Sequence, residues 1–145
     1  MLKNFEVIEI VKQVAPMVLI IEDNKLRQTR GIVEALEFAP YVRYLMDRKG
    51  KQIAIQVTND KDAQKIKFSR PAAEQGQKAV LYQNADMVAV IRGMMTDWQE
   101  GVKYQVNGVY SKTDKAVIFD LTTAQEYRRF RQSRKGNKEE VEDKE

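Results

Sequence analysis

The chain has 145 residues, 43% hydrophobic and 32% charged, with a net charge of +4 and neither cysteine nor histidine. That length suits one domain able to bury a core without a metal or disulfide staple. The missing residue types exclude disulfides, thiolate or imidazole metal sites, cysteine nucleophiles and the side chain that most often moves protons near neutral pH.

Met1–Glu9 has no basic stretch followed by an apolar one, and the longest apolar run, Ala15–Ile21, is too short to span a bilayer. A cytoplasmic protein without membrane contact is expected. Phe5–Val14 reads as a strand, interrupted at Ala15-Pro16, and Met17–Ile21 as a short buried strand. Glu22-Asp23-Asn24 is a turn signal, and Leu26–Arg30 continues as extended chain.

Ile32–Met46 places Ile32, Leu36, Val42 and Leu45 near one face at helical spacing, with Pro40 kinking the stretch into two helical pieces. Gln52–Val57 alternates, and Ile66 and Phe68 alternate in Lys65–Ser69, so Lys51–Ser69 reads as a β-hairpin. Ala79–Gln83 reads as a strand. Asn84 stands where a helix N-cap belongs, ahead of a helix over Ala85–Trp98 with Met87, Val90, Ile91, Met94 and Trp98 as its apolar stripe. Lys103–Tyr110 and Ala116–Leu121 make a second hairpin. Thr123 and Glu126 have the spacing of a capping box before a short helix over Tyr127–Arg134.

The expected fold class is therefore α+β: two βαββ-like units forming a mostly antiparallel sheet with two main helices, plus a short C-terminal helix. The pattern repeats over residues 25–69 and 79–121 within a single domain of residues 1–135, followed by a disordered charged tail of residues 136–145.

Charge is uneven along the chain. Residues 122–135 hold five basic side chains and one acid, Glu126, whereas residues 136–145 hold two lysines and five acids. The run from Tyr127 to Lys135 interleaves Tyr127 and Phe130 with Arg128, Arg129, Arg131 and Arg134. Arginine forks suit phosphates and aromatic rings stack on bases; the same run also suits a solubilising helix docked through its two rings. Arg48, Lys49, Lys51, Lys65, Lys67 and Arg70 form a second basic set, with Lys65 and Lys67 sharing one strand face. That face fits a phosphate backbone, or protection of a sheet edge against aggregation.

Catalytic motifs are missing. Ser69, Ser111 and Ser133 lie in no Gly-x-Ser-x-Gly elbow, and no phosphate-binding glycine loop is present. Asn59, Asp60 and Asp62 offer oxygens to a hard cation but lack EF-hand spacing, and they equally suit a polar turn.

The order strand Lys25–Thr29, helix Ile32–Met46, hairpin Lys51–Ser69, with a similar order over Ala79–Leu121, resembles the βαββ unit of the AbrB/MraZ swapped-hairpin DNA-binding families. The resemblance implies a tandem, MraZ-like arrangement in which basic residues near the strand–helix junction contact DNA, and it places Arg27 and Arg30 there. Where those families carry Ile-Pro before the helix, this chain has Thr29-Arg30-Gly31.

The expectation is a small non-enzymatic nucleic-acid-binding protein, a transcription regulator or mobile-element accessory factor, using Arg27, Arg30, Lys65, Lys67, Arg128, Arg129, Arg131 and Arg134. DNA is the first partner expected, with self-association into a homodimer or other homo-oligomer, and no cofactor. The alternatives are a protein-binding or structural module acting as a homo-oligomer, and a carboxylate-metal enzyme around Asp60 and Asp62.

Overall fold

The computed structural model describes residue 4 and residues 15–127. Strand β1 (Val18–Ile21) turns through Glu22–Lys25 into β2 (Lys25–Gln28), the turn closed by the Glu22 N–H donating to the Lys25 carbonyl at 3.0 Å. The hydroxyl of Thr29 then ties the hairpin ends together, accepting from the Val18 N–H and donating to the Pro16 carbonyl.

Helix α1 covers only Arg30–Ala35. Its end is forced by Glu37 and Phe38, both at φ 55°, and by Pro40, whose ring and missing N–H bar helix continuation. The chain re-emerges as β3 (Tyr41–Asp47) and returns as β4 (Gln52–Val57). The helix expected over Ile32–Met46 is thus mostly strand. Val42 and Leu45 do not share a helix face: Val42 lies in the core, while Leu45 is 41% exposed on the opposite face of β3.

The expected hairpin over Lys51–Ser69 is also replaced. β5 (Ile66–Lys67) pairs with β3, not β4, and the alignment extends through Phe68 N–H to Pro40 O and Ser69 N–H to Ala39 O. The other edge of β4 is taken by β8 (Ala116–Asp120). Between these, α2 (Ala72–Gln75) leads to β6 (Val80–Gln83), which pairs with β2.

Helix α3 (Ala85–Met94) starts where the sequence indicates, the Asn84 side chain accepting from the Met87 N–H at 3.0 Å. β7 (Tyr104–Ser111) and β8 form the expected second hairpin. No helix begins at Thr123 among the described residues. Asp120 instead caps a 3₁₀ turn over Leu121–Thr123, and β9 (Gln125–Glu126) adds to β7. The expected helix over Tyr127–Arg134 lies, beyond Tyr127, outside the described residues.

The expectation of two βαββ units with two main helices is overturned. The described residues form mostly antiparallel sheet, nine strands curled into a half-barrel with three short α-helices. The strand path is β5-β3-β4-β8-β7-β1-β2-β6, with β9 branching from β7. Every pair along it is antiparallel. Its concave face holds the core, built from Leu19, Ile21, Leu26, Ile55, Val106, Val117 and Phe119 and covered by Ile32 and Val33 of α1 and Val88 and Ile91 of α3.

One polar contact crosses this core. Gln28 Nε2 on β2 donates to the Tyr44 hydroxyl on β3 at 2.6 Å, and the Tyr44 ring stacks on Tyr82 of β6, centroids 5.2 Å apart. Burial, reinforced by Tyr82, holds the Tyr44 phenol above its usual ionisation range. Because the pKa is raised, the neutral phenol is the favoured folded form; the stability it contributes is full below the unfolded value near 10 and falls as pH rises past it. Tyr44→Phe is expected to cost about 1–3 kcal/mol by stranding the Gln28 amide, and to flatten the alkaline loss of stability, in denaturant melts across pH. An unchanged alkaline slope in the variant contradicts this.

Gly108 provides the second constraint. A Cβ there would press on the Val117 side chain and stand 2.7 Å from Phe119 Cε1. Gly108→Ala is expected to destabilise by about 1–3 kcal/mol through overpacking, read as a lower denaturation midpoint with an unchanged slope.

Candidate nucleic-acid interface

Three cations converge on one carboxylate at the end of β1. Glu22, 9% exposed at its side chain, lies 3.4 Å from Arg27 Nε, 3.6 Å from Lys103 Nζ and 3.8 Å from Lys25 Nζ. The β1–β2 turn brings Lys25 and Arg27 back beside Glu22. Pairing of Ile21 with Tyr104 brings Lys103 from the far end of the sequence. Pairing of Tyr104 with Glu126, and the Tyr127 N–H donating to the Lys103 carbonyl at 2.8 Å, set Tyr127 on the rim. Glu22, Arg27, Lys103 and Tyr127 line a cleft of about 300 Å³.

The cations are anchored without being used up. Their side chains remain 34% exposed for Lys25, 40% for Arg27 and 52% for Lys103. Contacts of 3.4–3.8 Å between partly exposed groups are weak, so the carboxylate aligns the cations more than it stabilises the fold. Asp23 and Glu126 flank the cleft in sequence. The cleft lining itself holds two cations and one acid, and five basic residues follow Tyr127 within residues 128–135 of the sequence.

Next to the cleft, Tyr104 anchors the loop after α3. Trp98 stacks on its ring, centroids 4.3 Å apart, and the Arg92 guanidinium lies 5.6 Å from the Tyr104 centroid and 5.8 Å from that of Trp98. Arg92 Nη2 donates to Gln99 O, and the Gln99 N–H donates to the Tyr104 hydroxyl, both at 2.7 Å. This cluster fixes the backbone that carries Lys103.

The residues expected to bind nucleic acid divide into separate groups. Arg27 joins the cleft. Arg30, on α1, donates through Nε at 2.8 Å to Glu34 one turn along and lies outside the cleft lining. Lys65 and Lys67 are exposed on and before β5 at one end of the strand path, away from the cleft lining. Lys65 faces Asp62, whose carboxyl is held below its usual range first by the Gln64 N–H and the Thr58 hydroxyl, then by Arg43 and Lys65. Arg128, Arg129, Arg131 and Arg134 lie outside the described residues. Asn59 and Asp62 accept the Lys61 and Gln64 N–H groups as turn-forming side chains.

Sequence reasoning missed Glu22, Lys25, Lys103 and Tyr127 as parts of one site. Lys103 meets the others only through the pairing of β1 with β7, a contact between segments on either side of most of the fold. The local signal was the dense turn Glu22–Lys25 followed by Arg27, which holds the carboxylate and two of its three cations.

Removing the shared carboxylate leaves three like charges side by side. Glu22→Gln is expected to cost about 1 kcal/mol, the cost rising at low ionic strength, as measured by thermal melts over a salt series. A cost independent of salt contradicts the role assigned to Glu22. Comparison with family models, curated proteins and solved structures finds no match to this chain.

Proposed function

We propose that this protein is a non-enzymatic binder of nucleic-acid phosphate backbone, acting through Lys25, Arg27 and Lys103 together with the basic run that begins at Arg128. The observation that carries the reading is the convergence of three partly exposed cations on one buried carboxylate, at the point where Tyr127 leads into Arg128, Arg129, Arg131, Arg134 and Lys135. Phosphate oxygens take the place of Glu22 as partners of the cations without moving them far, and the Tyr127 ring stands beside them as a stacking surface. Arg30, paired with Glu34, is left out of this interface. The reading assigns no base-specific contact, so it describes affinity for the backbone, not sequence recognition.

The test is fluorescence anisotropy of the full chain with a short labelled duplex over a salt series. Log affinity is expected to fall linearly with log salt, and Arg27→Gln and Lys103→Gln each to weaken binding and reduce the slope by about 1. Glu22→Gln removes the built-in competitor and is expected to tighten binding by roughly fivefold, about 1 kcal/mol. No binding at low salt, or an unaltered slope in both cation variants, overturns the proposal.

A further inference from the structure

The convex face of β3, β4, β8 and β7 carries a pattern that neither the core nor the cleft uses. Residues in register across these strands share a face, since side chains alternate along each strand. Val42, Ile53, Ile55, Val117, Phe119 and Val106 point into the core. The intervening residues therefore point outward. One outward row runs Leu45, Ala54, Ile118, Val109, each opposite the next in the ladder. It is apolar from end to end, and its ends are open to solvent, Leu45 at 41% and Val109 at 70%, the highest exposure of any large apolar side chain among the described residues.

Mostly polar rows lie on either side, interrupted at Ala116, which is buried at 2% exposure. Two residues along each strand in one direction come Arg43, Gln56, Ala116 and Ser111; in the other, Asp47, Gln52, Asp120 and Asn107. The rows match in charge at Arg43 and Asp47; Asp47 is exposed and accepts the Gly50 N–H at 2.9 Å, while Gln56 and Ser111 hold partners within the chain. A two-fold axis along the apolar row keeps each strand at its own place along the row and exchanges the flanking rows. Arg43 then faces Asp47 of the second copy, Gln56 faces Gln52, and Ser111 faces Asn107, each match occurring twice. Asp120 meets Ala116 and keeps its own partners, the Thr122 N–H and hydroxyl. Arg43 bonds Gln56 at 2.8 Å and lies 3.6 Å from Asp62, yet its side chain remains 43% exposed and able to reach outward.

We infer that this face is a homodimer interface in which two copies of the chain pack Leu45, Ala54, Ile118 and Val109 against one another, with Arg43 paired to Asp47 across the two-fold axis. Four strands at about 4.8 Å spacing make a stripe roughly 14 Å long, the size of the core of a reversible interface and too small for an obligate one. The inference is independent of the cleft, which lies at the other end of β7. A dimer built this way leaves both clefts open.

The test is sedimentation velocity of the full chain over a concentration series up to its solubility limit. The wild type is expected to shift reversibly from monomer to dimer. Leu45→Glu and Val109→Glu, substitutions at exposed strand positions, are each expected to abolish the dimer while keeping the circular dichroism spectrum and melting behaviour of a folded chain. Asp47→Arg, which sets Arg43 against a second cation, is expected to weaken the dimer at least tenfold, and adding Arg43→Asp to restore it. Wild type monomeric at every concentration, or a dimer that survives both Leu45→Glu and Val109→Glu, overturns the proposal. Nucleic-acid affinity of the Val109→Glu monomer, measured separately, reports on the cleft and not on this interface.

Discussion

Strand β7 couples everything else in this fold. Its first half pairs with β1 and β9, and its second half with β8, so it joins the β6-β2-β1 side of the sheet to the β8-β4-β3-β5 side. The joint requires a tight approach at Gly108, where a Cβ would collide with the side chains of Val117 and Phe119. With the joint in place, the concave faces of both sides close over one core, and Phe119, fully buried, fills the space that the glycine leaves. Loss of this approach would separate the sheet into a three-stranded side and a four-stranded side, each with its hydrophobic face opened to water.

The same strand distributes the surface features. At its start it holds Lys103 and Tyr104: the lysine completes the ring of cations around Glu22, and the tyrosine lies under Trp98 and Arg92. At its far end it carries Val109 on the convex face. Cleft and apolar row thus sit at opposite ends of one rigid ladder, which fixes their separation while leaving them chemically unrelated.

Much of the local structure is legible in the sequence. The turn at Glu22-Asp23-Asn24, the Asn84 cap and the β7–β8 hairpin all rest on short-range chemistry, and each forms where the residue types place it. The misreadings have one cause. Ile32, Leu36, Val42 and Leu45 match a helical spacing, but Pro40 divides them, and beyond it Tyr41, Val42 and Tyr44 are aromatic and β-branched residues that suit a strand with neighbours on both edges. What decides the matter is pairing with β4 on one side and β5 on the other; both strands are legible in the sequence, but not that β3 lies between them. The Lys51–Ser69 hairpin fails for the same reason: β4 finds its second partner in β8, far along the chain, and β5 goes to β3. The helix expected after Thr123 gives way to a 3₁₀ turn capped by Asp120 and to strand at Gln125–Glu126. Of the site, Arg27 is singled out only through the resemblance that sets it near a strand–helix junction. That it shares a carboxylate with Lys103 depends wholly on which strands meet.

The account stands or falls on whether phosphate takes the place of Glu22 at the cleft. Amide hydrogen exchange of the full chain, with and without a saturating short duplex at low salt, addresses this directly. Slowed exchange is expected in the turn from Glu22 to Arg27 and from Lys103 to Gln105, with the convex face of β3 and β4 unaffected by the nucleic acid. Slowed exchange confined to other elements, or none at all while the duplex is bound, contradicts it.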